Sequence, residues 1–366
     1  MIYLLITCSY TFNILNTFTI LFWLMMFIMV ITILVVHRRK QVKKEEREEM
    51  RIYFVSVLQE VIWTETTEDN EEKITLPDNF LKLMESEIFR NWFIEDLIAT
   101  KKNLAGMATK NLEKLYDQLE LYKTSYRKMK DRKWHLKALG VQELYMMENT
   151  RYLPEIFELT RHSNEFVRAE AQAGMIFLNE FEGLIFLDDL KLPVSEWDQI
   201  RLLNHLANVT YESMGNVGLW LKSENNSVVM FALKFIGVYH LFNFHKEVIN
   251  CLQYKNKEIQ LQALDVLKAV YDNTTEVAIV EVYDTFVQSS LRIKALETLA
   301  IIGNYELLPF LRRELKSENK DIKFAAAKAI AHTSDQGINI LENIFGPQNS
   351  IDNELIIQHL KFELQQ

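Results

Sequence analysis

The first 36 residues carry no charged side chain, and from Ile14 to Val36 the apolar run is interrupted only by Asn16, Thr17, Thr19 and Thr32. At 1.5 Å per residue such a helix reaches about 34 Å, enough to cross a hydrocarbon core of about 30 Å. The pattern predicts an N-terminal segment, 1–36, with one membrane-spanning helix over 14–36. A cleaved signal peptide would show a basic leading region, a shorter apolar run and a small-residue cleavage site. Here no Lys or Arg precedes the run, and His37-Arg38-Arg39-Lys40 follows it. With Lys43 and Lys44, these cations all lie on one side of the span. The positive-inside rule then predicts a single-pass protein of the inner (plasma) membrane, N-terminus outside and everything after His37 in the cytoplasm. The same cluster can attract anionic headgroups of the membrane lipid, although Glu45, Glu46, Glu48 and Glu49 offset part of that field.

Beyond the span the spacing turns helical. Residues 37–51 read as the start of a juxtamembrane helix, basic and then acidic. Ile52, Val55, Leu58 and Ile62 recur three and four apart and predict one buried face. The acidic stretch at 64–75 reads as a solvated loop. Pro77 suits a helix first turn, and Phe80, Leu81, Leu83, Met84, Ile88, Phe89, Trp92, Phe93, Leu97 and Ile98 continue an apolar pattern. Together 52–103 predict a small helical adaptor.

From residue 104 to 366 the chain repeats itself. WHLKALGVQEL (134–144), VRAEAQAGMIF (167–177), VVMFALKFIGV (228–238), IQLQALDVLKA (259–269), LRIKALETLAI (291–301) and IKFAAAKAIAH (322–332) align without gaps. Each opens on an apolar residue: Trp134, Val167, Val228, Ile259, Leu291 and Ile322. Four places on, all six carry alanine: Ala138, Ala171, Ala232, Ala263, Ala295 and Ala326. Eight places on stand Met175, Ile236, Leu267, Leu299 and Ile330, with Gln142 the exception. Places 0, 4 and 8 form one stripe of a helix, and a small residue at its centre lets a neighbouring helix come close. Three residues before each opening residue come Asp131, Asn164, Asn225, Asn256, Gln288 and Asn319. Asp and Asn there are expected to cap the helix by accepting from its first-turn N–H groups.

The intervals are 33, 61, 31, 32 and 31 residues. The 61 is two periods, so a divergent copy is expected at Asp198, where Ser195-Glu196-Trp197-Asp198 offers a capping box and Leu202 and Leu206 fall at places 4 and 8. A second amphipathic helix precedes each capped one, over 152–161, 183–191, 209–223, 245–255, 277–288 and 306–317. Two helices every 31 residues or so, stacked side by side, predict an all-α solenoid of about seven helix pairs, closed by a C-terminal cap over 338–345 and 352–364.

Composition narrows the function. With 10 glycines and 5 prolines in 366 residues, the chain has too few turn-formers for a sandwich, barrel or doubly wound sheet. The net charge of −9 argues against a nucleic-acid surface. Cys8 and Cys251 are too far apart in sequence for a metal-binding pair. There is no HExxH, P-loop, GxGxxG or GxSxG, and Asp188 and Asp189, as neighbours, point about 100° apart on a helix. His240 and His245 fall on different helix faces, and Cys251 reads as a small core hydrophobe. No catalytic, metal or cofactor-binding residue is assigned, and a non-catalytic scaffold is the expected class.

Val167-Arg168-x-x-Ala171, recurring as Leu291-Arg292-x-x-Ala295 and Ile322-Lys323-x-x-Ala326, resembles the second-helix signature of HEAT repeats. The resemblance departs at Asp198 and in the first-helix prolines, present only as Pro154 and Pro309. Residues 164–203 together with 133–144 resemble more specifically a family of bacterial inner-membrane HEAT proteins with one N-terminal anchor. That family is associated with family-2 glycosyltransferases and surface polysaccharide. The resemblance implies a cytoplasmic solenoid that binds a protein partner, such as a membrane glycosyltransferase, with the capped helices lining its concave side. On those helices Arg168, Gln172, Lys257, Gln260, Arg292 and Lys323 are the candidate partner surface, joined by Trp197 and Arg201 of the divergent copy. The alternative from another class is an enzyme or cofactor-handling protein working in the groove; a closed pocket with convergent titratable groups would favour it.

Overall fold

The computed structural model describes residues 2–63, 73–206, 216–334, 336–346 and 351–364. Among these residues the protein is all-α, without a strand, and forms two compact units, 1–149 and 150–366. Most of the acidic loop expected at 64–75 and the first half of the helix expected over 209–223 lie outside the described residues.

The first unit contains α1 (Ile2–Ile62), α2 (Asp78–Leu83), α3 (Glu87–Lys101), α4 (Met107–Gln118), α5 (Tyr122–Met129) and α6 (Trp134–Met146). The expected span and the juxtamembrane helix are one element, because no Gly or Pro interrupts α1 over its 61 residues. From Ile20 to Val36 every side chain of α1 is exposed, and the helix is long and apolar enough to cross a membrane, with a mean hydropathy of 2.7 in its most apolar window. Its last three turns instead close the core of the unit. Phe54, Val57, Leu58 and Val61 are buried against Phe80, Phe93, Ile94, Leu97, Leu112 and Leu115. Phe54, Phe80 and Phe93 meet edge to face with centroids 5.0 to 6.1 Å apart. The expected face is corrected in part: Leu58 is buried and Ile62 packs half-buried against the core, but Ile52 and Val55 face outward. Two apolar sets with helical spacing compete on this helix, and the one holding Phe54 buries the larger area.

In the first unit α6 packs on α5 and α3. Gly140 makes the α5–α6 approach possible: a Cβ there would stand 2.3 Å from Met129 N and 2.5 Å from Ser125 O.

The second unit holds α7 (Leu153–Leu159), α8 (Glu165–Asn179), α9 (Glu196–His205), α10 (Val217–Trp220), α11 (Asn226–Val238), α12 (His245–Cys251), α13 (Lys257–Leu267), α14 (Thr275–Tyr283), α15 (Ser289–Ile302), α16 (Leu308–Glu314), α17 (Lys320–His332), α18 (Gly337–Phe345) and α19 (Ile351–Glu363). It is an α-solenoid. The longer helices pack on one another, α8 on α9, α11 on α13, α13 on α15 and α15 on α17, and α7, α10, α12, α14 and α16 pack against α8, α11, α13, α15 and α17 in turn. The 183–191 segment is a 3₁₀ stretch, Glu180–Asp189, and not an α-helix. Helices α18 and α19 close the end against α17.

The repeat stripe is the core of this unit. Val167, Val228, Ile259, Leu291 and Ile322 are buried, and so are all six alanines, five of them in this unit, and the apolar residues at place 8. Trp134 of the first unit is the exception. It is exposed because α6 begins at Trp134 itself, leaving no earlier turn to cover it. Four of the six expected caps form: Asn164, Asn225, Asn256 and Asn319 each accept from first-turn N–H groups, and Ser195 caps α9 through Asp198 N. Asp131 does not cap, since the helix starts later and its carboxylate accepts instead from Lys133 N at 2.8 Å. Gln288 holds the cap position without a side-chain bond, its longer side chain being a poor match to the first turn.

Candidate interaction surface

On α1, Arg38, Arg39, Lys40 and Lys44 follow the apolar stretch on an exposed helix; the Lys43 side chain lies outside the described residues. Arg47, one turn beyond Lys43, is turned inward. It donates to both oxygens of Asp96, at 2.7 and 2.8 Å, and to Trp92 O at 3.1 Å, and stacks 5.5 Å from the Trp92 ring centre. The bonds to Asp96, outweighing burial, hold its pKa above the ordinary arginine value. Helix α1 is thus fastened to the rest of the first unit by apolar packing and by one bidentate ion pair.

The candidate partner residues separate into groups. Arg168 donates to His162 O at 2.7 Å, Gln260 to Leu252 O at 2.8 Å, and Arg292 to Phe286 O at 2.9 Å. All three occupy the same repeat place and satisfy carbonyls left open where the preceding helix ends. Gln172 is corrected: it is buried and donates to Thr160 O at 3.2 Å, so no partner can reach it. Arg201 reaches back one repeat to Glu170 at 3.1 Å and to Ala169 O. Similar rungs join later repeats, Lys234 to Gln199 at 3.0 Å and Lys294 to Asp265 at 2.7 Å. Lys257 is half-buried, and Lys323 stands 5.8 Å above the Phe345 ring centre.

Trp197 differs from the rest, being 78% exposed. Phe166, which the sequence reading passed over, occupies the same repeat place, one residue before the opening residue, and is 54% exposed. The later copies put Ser227, Glu258, Ser290 and Asp321 there. Comparing the copies at that one place would have singled out both aromatics. With Ile200, also exposed, they place three exposed apolar side chains on α8 and α9, where the later copies carry polar residues at the place of Phe166 and Trp197.

The buried titratable groups join helices. In the first unit Tyr116 donates to Ser125 Oγ at 2.8 Å, Ser125 to Glu143 at 2.7 Å, and Lys128 to the other Glu143 oxygen at 2.5 Å. Burial pushes the Glu143 carboxyl up against the opposing pull of Lys128. In the second unit His245 lies between Asp272 at 3.2 Å and Thr275 at 2.7 Å. Asp188 accepts from Trp220 Nε1 at 2.7 Å while Asp189 faces Arg161, so the two acids serve separate contacts. Burial pushes the Cys251 thiol up to about 12, which leaves it protonated at neutral pH.

No family model matches the chain. No curated protein matches it either. Among solved structures, an engineered protein is similar at 14% identity and TM-score 0.37, over 84% of this chain and 99% of that one. The complex of CpcE and CpcF of phycocyanin lyase from Nostoc sp. PCC7120 is similar at 13% identity and TM-score 0.25, over 82% of this chain and 99% of that one. Likenesses this distant say nothing about what this protein does.

Proposed function

We propose that this protein is a membrane-anchored, non-catalytic adaptor that positions a protein partner at the inner membrane. The observation that carries the reading is α1, a single helix that is apolar and exposed over 20–36 and whose last turns build the core of a folded unit. A segment removed as a signal peptide would not need that continuity. The cations at 38–44 support an N-outside orientation with both folded units in the cytoplasm. Trp197 and Phe166 support partner binding, because exposed aromatics at matching repeat places offer large apolar contacts at low entropic cost. The partner class comes from the HEAT-family resemblance: a membrane glycosyltransferase or another component of surface-polysaccharide synthesis.

The test is site-specific photo-crosslinking in cells, with the crosslinker at 166, 197 or, as a control, 255. One membrane protein captured at 166 and 197 but not at 255, and lost when 1–36 are deleted, is the expected result. Equal capture at all three sites, or none at any, refutes the adaptor surface.

A further inference from the structure

At the C-terminal end of the second unit, α16, α17, α18 and Asn353 of α19 line an open cleft of about 530 Å³, within the roughly 300–1,000 Å³ of small-molecule sites. Arg312, from the last turn of α16, and Lys316, one turn beyond it, line one wall; Lys323, from the first turn of α17, lines another. Leu315, Ile344 and Phe345 supply apolar surface. No carboxylate lines the cleft, in a chain whose net charge is −9.

Of the neighbouring acids, Glu318 and Asp321 line an adjacent cleft that also touches Lys323, and three others are engaged elsewhere. Asp352 pairs with Lys320 at 3.0 Å, Glu342 with Lys361 at 2.7 Å, and Glu314 with Arg313 and Tyr283, each at 2.8 Å. Among the described residues, none of Arg312, Lys316 and Lys323 forms an ion pair. Arg312 and Lys316 are exposed and Lys323 is half-buried, so the cleft presents three cations with which an entering anion would pair. The Phe345 ring, already under the Lys323 ammonium, offers a planar face to the same ligand.

We propose that this cleft binds a phosphorylated organic molecule with a flat ring, its phosphates on Arg312, Lys316 and Lys323 and its ring against Ile344 and Phe345. Charge-assisted bonds from guanidinium and ammonium groups suit phosphate oxygens. The site lies outside the aromatic surface of the early repeats and does not depend on the adaptor reading.

The experiment is calorimetric titration of the full-length chain in detergent at about 0.1 M salt, with ATP, pyrophosphate and adenosine as probes. ATP is expected to saturate one site, pyrophosphate to bind more weakly and adenosine most weakly. Arg312→Gln and Lys323→Gln should each weaken ATP by about tenfold or more, and Lys255→Gln, at an exposed lysine outside the cleft, should not. Phe345→Leu should weaken ATP and leave pyrophosphate unchanged. Unaltered helical circular dichroism keeps folding defects out of the comparison. No ATP binding up to millimolar concentration, ATP affinity indifferent to both charge variants, or adenosine binding as well as ATP overturns the site. Pyrophosphate binding equal to ATP overturns the role given to the ring.

Discussion

Removing Arg47 should loosen α1 from the rest of the first unit more than removing its partner. In Arg47→Ala the Asp96 carboxylate, 7% exposed, loses both guanidinium bonds. An unpaired buried charge costs about 3–5 kcal/mol. Arg51, 3.9 Å from Asp96 and mostly exposed, can swing in and recover part of this, which sets the expectation near 3 kcal/mol. In Asp96→Ala the guanidinium keeps Trp92 O and has Glu95 within 3.6 Å, so about 1–2 kcal/mol is expected. The double variant should then reveal a coupling of about 2 kcal/mol. Hydrogen exchange of full-length protein in detergent, followed over peptides covering 87–101, reports this opening locally. At tenfold per 1.4 kcal/mol, Arg47→Ala should speed exchange there on the order of 100-fold. A larger effect for Asp96→Ala, or a coupling below about 0.5 kcal/mol, would refute the claim that this ion pair fastens α1 to α3.

Three further outcomes follow from the packing. Gly140→Ala should destabilise the first unit by more than about 3 kcal/mol, because the new methyl meets backbone atoms of α5 that cannot move alone; protease resistance unchanged from the parent would contradict it. Asn256→Ala should cost the second unit about 1 kcal/mol, whereas Gln288→Asn should stabilise it by a similar amount by restoring the missing cap; thermal melts that rank the two variants the other way would dismiss the capping account. Burial raises the Glu143 pKa above its ordinary 4.5, so its contribution to stability is present below 4.5 and fades as pH rises through the folded value. Glu143→Gln should remove that component, and a stability difference from the parent that stays constant between pH 4 and 8 would exclude it.

The repeat was legible because places 0, 4 and 8 and the cap carry independent constraints, and all four recur at one spacing. An alanine at place 4 leaves no choice of phase: rotate the helix, and Ala263 and Leu267 leave the core together. The cap rule was less secure, since it reads residue type without backbone position. Asp131 has the right chemistry two residues too early, and Gln288 the right position with too long a side chain. The candidate surface was least legible. Arg168, Gln260 and Arg292 look like free polar residues in sequence, but the carbonyls they satisfy belong to the preceding helix, and no pattern within the capped helix shows where that helix ends.

The juxtamembrane helix shows the limit in another way. On α1 the sets Ile52, Val55, Ile62 and Phe54, Val57, Val61 both have helical spacing, and Phe54 and Val57 lie about 200° round the helix from Ile52 and Val55. Periodicity cannot choose between them, because both are apolar and Leu58 borders each. What chooses is the partner: Phe80 and Phe93 present an aromatic pair that Phe54 completes edge to face. Arg47 then falls one turn pair before Phe54, where seven residues are two turns of the helix, and so it faces the same side, toward Asp96. The rotation that buries Phe54 is therefore the rotation that makes the ion pair. One choice of phase thus sets both the apolar packing and the ion pair of α1.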